Sequence, residues 1–176
     1  KEETPIHLVE ATKISGEFAA KSLEIAVNSL KENKIDILLT APIHKETIQS
    51  ETFSYPGHTE FLEDKLKGES LMILMTDAIK IGLITGHIPV SKVAETIDSE
   101  LIKKKVQILH KSLIEDFAIN KPKIAILGLN PHNGDKGVIG NEEQEIIIPA
   151  IKEIKDSGKL VFGPYAADGF FGSKAY

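Results

Sequence analysis

Lys121-Pro-Lys-Ile-Ala-Ile-Leu-Gly-Leu-Asn-Pro-His-Asn-Gly-Asp-Lys-Gly-Val-Ile-Gly-Asn-Glu-Glu143 reads as a strand, a loop and the start of a helix. Ile124 to Leu129 is a short apolar run of strand length. Asn130-Pro131 breaks it, and Gly134, Gly137 and Gly140 keep the next stretch out of regular structure. His132 and Asp135 fall in that loop, just past the carboxyl end of the strand, where open α/β sheets bind their ligands. Asn141 caps the helix that follows, and Glu142 and Glu143 in its first turn suit the helix dipole. Pro149 lies inside the apolar stripe of that helix and predicts a kink or a restart. Leu160 to Phe162 is a last short strand.

Upstream, Asp98 is an N-cap for a long helix reaching Phe117. Ile102, Val106, Leu109, Leu113 and Phe117 form its buried stripe, with Lys103, Lys104 and Lys105 as a solvated face. Leu71 to Thr76 and Lys80 to Thr85 are two strands around Asp77-Ala78, a hairpin. The second runs into Gly86-His87-Ile88-Pro89, and Ser91 to Glu95 starts a short helix. Pro56-Gly57 is a turn, after which His58-Thr59-Glu60 opens a helix running to about Lys67. Backbone N–H groups at such a start, beside a hydroxyl and an imidazole, can hold an anion. Thr12 to Asn33 is helical, with Ala19, Leu23, Ala26, Val27 and Leu30 on one face. Ile35 to Thr40 is predicted to be a strand, and Ile43 to Ile48 a turn or short helix. Helices and strands alternating at short gaps give the α/β class.

Composition narrows the functions. The 176 residues suffice for one ordinary domain, and 41% hydrophobic with 27% charged residues is globular. A net charge of -5 argues against nucleic acid as a partner. Without cysteine there is no thiolate metal site and no thiol nucleophile, which fits a reducing cytoplasm. No apolar run approaches the ~18 residues of a membrane span. The opening Lys1-Glu-Glu-Thr-Pro-Ile is no signal peptide. The chain stops at Phe170-Phe171-Gly-Ser-Lys-Ala-Tyr176 without a closing helix, as a fragment would.

Three histidines, His58, His87 and His132, lie in Gly/Pro loops near element ends. Singly, each reads as a solvated loop residue; together, in equivalent positions, they are candidates for one shared site. Neutral imidazoles suit Zn, Co, Ni or Mn. Two would be too few for a catalytic centre, which commonly has three protein ligands and an open position. A further ligand would have to come from Asp135, from another subunit or from additional sequence. The glycines do not form G-x-G-x-x-G, so a standard Rossmann cofactor site is not supported. Lys45 either meets a phosphate or stands as an exposed cation, and spacing alone favours the second. Asp168 is either a turn residue or a carboxylate facing the site. Asp168 and Lys45 are the candidate catalytic residues.

The motifs Thr40-Ala-Pro-Ile-His-Lys45, Pro56-Gly-His-Thr-Glu-Phe61, Gly86-His-Ile-Pro89, Gly128-Leu-Asn-Pro-His-Asn-Gly134 with Gly140-Asn-Glu-Glu143, and Gly163-Pro-Tyr-Ala-Ala-Asp168 occur in this order along nearly the whole chain. In this respect the chain resembles the 4-hydroxythreonine-4-phosphate dehydrogenase family of pyridoxal-phosphate biosynthesis. One departure is His44, where many members have Asn. The resemblance implies a three-layer α/β/α fold like isocitrate and isopropylmalate dehydrogenases. It implies two such subdomains, of which residues 1–176 would be the central part, and a homodimer with active sites at its interface. It implies oxidation of 4-phosphooxy-L-threonine, a phosphorylated amino acid, with NAD or NADP and a divalent metal (Zn, Mg, Co, Mn or Ni). The 3-oxo acid would lose CO₂ to give 3-amino-2-oxopropyl phosphate.

Residue by residue, the resemblance makes His58 and Thr59 a substrate-binding pair. It makes His87 and His132 two of three metal ligands, and puts Asp168 near metal and substrate. The third ligand, in a Tyr-His-Asp-Gln-type motif, the later phosphate-binding residues and the N-terminal Pro-Gly-Asp-Pro-Ala-Gly-Ile-Gly stretch have no match, so the chain alone is expected to be inactive. Competing readings are a dehydrogenase of another chelating hydroxy acid or dihydrodiol, a phosphate acetyltransferase-like transferase that survives chelation, and a non-catalytic metal- or phosphate-binding fragment.

Overall fold

Thr12 starts the first helix by the rule that its sequence suggests. In the computed structural model, which describes residues 10–173, helix α1 spans Lys13–Lys31. Thr12 Oγ1 accepts from Ser15 N (3.2 Å), and Ser15 Oγ accepts from Thr12 N (3.1 Å). This reciprocal box satisfies two donors that a helix start otherwise leaves open. Asn33, with φ 53°, takes the chain out of the helix. The buried stripe is Gly16, Ala20, Leu23 and Val27; Ala19, Ala26 and Leu30 of the expected face are only half-buried. Gly16 is there for contact, since a Cβ would run into the Thr47 carbonyl.

The chain divides into two compact units, up to Ser70 and from Leu71. In the first, Ala20, Leu23 and Val27 pack with Ile48, Phe53 and Phe61. Phe61 comes from α2, His58–Lys65. Phe53 and Phe61 are fully buried, with ring centroids 5.1 Å apart, and Tyr55 stands edge-on to both at 5.4 Å. These rings fix α2, and with it His58 and Thr59. The strand expected at Ile35 to Thr40 does not form. The described residues of this unit contain no strand to pair with it, and Ile37 and Leu39 are 83% and 95% exposed. Extended chain without a ladder partner is not a strand, whatever its β-propensity.

The second unit opens with the expected hairpin. Strands β1 (Ile73–Met75) and β2 (Lys80–Gly82) pair antiparallel, Met75 opposite Lys80. A 3₁₀ turn at Val90–Lys92 leads into α3, Val93–Thr96. Helix α4, Ser99–Glu115, is capped by Asp98, whose side chain accepts from Leu101 N at 2.7 Å. Strand β3, Lys123–Leu127, follows, and then a turn at Pro131–Gly137. A π turn at Glu143–Ile147 leads into α5, Ile148–Asp156, with Pro149 in its first turn, the restart that its position predicts. Strand β4, Leu160–Tyr165, runs longer than the sequence suggests, and α6 is Ala167–Phe170.

Strands β3 and β4 are parallel, Ile124 beside Val161, so β3, α5 and β4 make one βαβ unit. Alternation along β3 sends Ile124 and Ile126 inward with Val161. They meet Ile102, Val106 and Leu113 of α4 and Ala150, Ile151 and Ile154 of α5. Lys103 is not merely solvated, because its Nζ pairs with Glu100 (2.5 Å) and reaches Glu153 of α5 (2.7 Å). Beside the core runs an apolar groove of about 760 Å³, lined by Leu71, Ile81, Leu109, Phe162 and Phe171 among others.

Candidate functional site

Strand β3 ends by handing the chain to a turn of unusual hand. His132, Asn133, Gly134, Asp135 and Lys136 have φ of 54°, 57°, 72°, 43° and 56°, five successive residues in the left-handed region. For an L-residue other than glycine this costs about 1–2 kcal/mol, with Asn and Asp among the best tolerated. The glycines of this loop keep it out of regular structure, as the sequence suggests. They let it close into a left-handed turn. Gly134 is the tight point, where a Cβ would sit 2.5 Å from Gly140 O and 2.7 Å from Glu143 Oε2.

The turn is held from several sides. Asn133 Nδ2 donates to the Pro164 carbonyl of β4 (3.0 Å), and Asn133 N to Asn130 O (3.2 Å). Ile139 N donates to Gly134 O (3.0 Å). Glu143, read from sequence as an acidic partner of the helix dipole, is fully buried. Its Oε1 accepts from Asn130 N (2.7 Å) and its Oε2 from Asn130 Nδ2 (2.9 Å). Burial pushes the Glu143 carboxyl up, but these bonds outweigh it and hold the group below the ordinary glutamate value.

A depressed folded-state value means that the ionised form stabilises the fold. That stabilisation is complete above the unfolded value of about 4.3 and is lost as pH falls through the lower folded value. Thermal denaturation from pH 7 downward should therefore show a melting temperature that falls below about pH 4.3. Glu143→Gln should flatten that fall. An unchanged acid slope in the variant would remove Glu143 from the account.

His132 is presented by this turn, and Asp168 by the first turn of α6. The two meet, with His132 Nδ1 2.6 Å from Asp168 Oδ2. Their side chains are 70% and 45% exposed. A carboxylate on Nδ1 fixes the tautomer and leaves Nε2 as an acceptor or ligand. Sequence spacing left Asp168 open between turn residue and site residue; here it orients an imidazole. Phe170 lies tilted to Tyr165 at 5.5 Å between centroids and edge-on to Phe171 at 5.4 Å, and these contacts seat α6.

The other candidates are more dispersed. His87 is exposed, in the loop beyond β2. Among the described residues β1–β2 and β3–β4 are separate two-stranded sheets, and His87 and His132 follow strands of different sheets. Among the described residues no three His, Cys, Asp or Glu side chains converge as metal donors. His132 has the donor chemistry and the orienting partner that a divalent ion requires, but a full ligand set is not assembled. In the first unit, His58 and Thr59 open α2 behind Gly57, which provides no side-chain cap. His58 Nε2 is buried without a hydrogen-bond partner, which is uncommon for a buried polar atom. Lys45 is exposed at the turn before Ile48. Sequence reasoning missed Asn130, Asn133 and Glu143 as site residues, although each falls within the quoted motifs.

Comparison with known proteins gives one family. The model of "Pyridoxal phosphate biosynthetic protein PdxA" matches residues 2–176. A 4-hydroxythreonine-4-phosphate dehydrogenase of Bacteroides thetaiotaomicron is 53% identical over 164 residues, covering 92% of this chain and 45% of that protein. One from a Sulfurihydrogenibium species is 43% identical, covering 92% and 50%. The crystal structure of the Klebsiella pneumoniae 4-hydroxythreonine-4-phosphate dehydrogenase superposes with a TM-score of 0.83 at 29% identity, over 93% of this chain and 50% of that one. The Burkholderia xenovorans terephthalate 1,2-cis-dihydrodiol dehydrogenase, 20% identical with a TM-score of 0.69, shares the fold. The chain spans about half the length of the relatives it matches.

Proposed function

Since this chain belongs to the pyridoxal phosphate biosynthetic protein PdxA family, we propose that its protein oxidises 4-phosphooxy-L-threonine with NAD or NADP. The product, 2-amino-3-oxo-4-phosphooxybutanoate, loses CO₂ to give 3-amino-2-oxopropyl phosphate. The observation that carries this reading is the His132–Asp168 pair. Asp168 accepts from His132 Nδ1 and leaves Nε2 for a ligand, the second-sphere arrangement of a metal-binding histidine. His87 is the second ligand in this reading, and a third comes from outside these residues.

A bound divalent ion, Zn, Mg, Co, Mn or Ni, would supply a Lewis acid for the substrate hydroxyl and the ketone it becomes. NAD or NADP would take the hydride. The residues of this chain bind and orient. His58 Nε2, buried and unpartnered, and the Thr59 hydroxyl hold an anionic group of the substrate at the start of α2. Lys45 provides a further cation for that group. The protein is a cytoplasmic homodimer of three-layer α/β/α subdomains with its active site at the dimer interface, and an isolated 176-residue chain is inactive.

The test is reduction of NAD or NADP by the full-length protein with 4-phosphooxy-L-threonine. Activity is expected, and a chelator should abolish it. Thr59→Ala should weaken substrate binding by roughly 1.5–3 kcal/mol, a charge-assisted hydrogen bond. Activity that survives chelation, or unchanged kinetics in Thr59→Ala, would refute the metal and the substrate-binding pair respectively.

A further inference from the structure

Glu143 is a fully buried carboxylate with no part in the chemistry above. Both of its oxygens go to one residue, Oε1 to the Asn130 N–H and Oε2 to Asn130 Nδ2. Asn130 is where β3 has ended and the left-handed turn has not yet begun. Asn130 Nδ2 also reaches Glu142 Oε2 at 2.7 Å. Gly134 leaves room on the inner side of the turn for the same carboxylate, as the 2.7 Å approach of its virtual Cβ to Glu143 Oε2 shows. Burying an ion is costly unless its lone pairs are filled. Here they are filled by the strand exit. A turn with four non-glycine residues in the left-handed region needs such an anchor to keep one conformation.

We propose that Glu143 is a positioning residue that clasps Asn130 and so holds the left-handed turn in the one conformation that presents His132 to its ligand. The proposal rests on the reading of His132 as a metal ligand, although its deciding measurement does not. Glu143→Gln keeps the shape but replaces one acceptor with an NH₂ that faces a donor. In the metal-free, full-length protein, the His132 imidazole signal can be assigned by its loss in His132→Ala. Glu143→Gln should broaden or split that signal and leave the His110 signal single. With metal added, Co(II) affinity should fall about 10–100-fold, as for other outer-sphere partners, while near-UV circular dichroism is unchanged.

A single, unshifted His132 signal in the variant overturns the proposal, whatever happens to the metal. A split signal with wild-type Co(II) affinity supports the clasp and instead overturns the ligand role of His132. If Glu143→Gln does not fold, Asn130→Ala, which removes the Nδ2 bonds to Glu143 and Glu142 and keeps the backbone N–H bond to Glu143, is measured in the same way. It should broaden the same signal, and a sharp one overturns the proposal.

Discussion

His132→Ala in the full-length protein should cost turnover at least about 100-fold while leaving the fold almost intact. Losing an outer-sphere partner of a metal costs about 10–100-fold, and a ligand should cost no less. Its structural cost is small for three reasons. The side chain is 70% exposed, so no core is lost. Its bond to Asp168 is a surface pair, worth about 0–1 kcal/mol. Alanine inherits the left-handed backbone at φ 54° with a strain similar to that of histidine. The melting temperature should therefore move by about 2–4 °C at most. Steady-state NAD(P) reduction, metal content and a thermal melt on one preparation decide it. A fully active variant that no longer holds metal would sink the assignment. An unfolded variant would make His132 a structural residue.

Phe61→Ala should give the largest stability loss, about 3–5 kcal/mol. Phe61 is fully buried and in ring contact with both Phe53 and Tyr55. Deleting it leaves a cavity that these two rings line and cannot close. A whole domain has only about 5–15 kcal/mol in hand, so the first unit would lose much of its stability. Urea denaturation should show an earlier loss of the Tyr55 signal. The functional consequence is local, because Phe61 is what seats α2, and α2 begins with His58 and Thr59. Substrate binding should weaken along with stability. A midpoint shift equivalent to less than about 1 kcal/mol, the typical effect of an unremarkable substitution, would show that α2 is held by something else.

These two cases differ in how far the sequence reveals them. The helices can be read from the chain because their causes are local. Asp98 caps α4 where expected, α1 starts at the Thr12 boundary, and Ile102, Val106 and Leu113 recur at the helical period. The restart at Pro149 is local too, since a residue without an N–H must sit in a first turn. The strand expected at Ile35 to Thr40 fails because a strand exists only with a partner, and the partner is not a local property. Glu143 misleads for a similar reason. An acid in a first turn reads as a dipole partner, and only the folded chain brings Asn130 onto both of its oxygens.

The candidate site was half legible. His132 and Asp168 could each be singled out from loop chemistry, but their contact depends on β4 lying parallel to β3 and delivering α6 beside the turn. The family motifs name both residues without saying that one serves the other. His58 and Thr59 at a helix start follow directly from the Pro56-Gly57 turn. The orphaned Nε2 of His58 could not be foreseen, because burial of one ring atom depends on packing.

The turn at His132 to Lys136 also bears on chirality. For five residues an L-chain follows the screw sense that its mirror image would follow at rest. Lys136, exposed at φ 56°, is placed as a D-residue would choose to be. Inverting that one stereocentre by semisynthesis keeps the charge and the side chain and lifts a steric cost of about 1–2 kcal/mol. Stereochemistry can thus be altered here without changing the composition of the site.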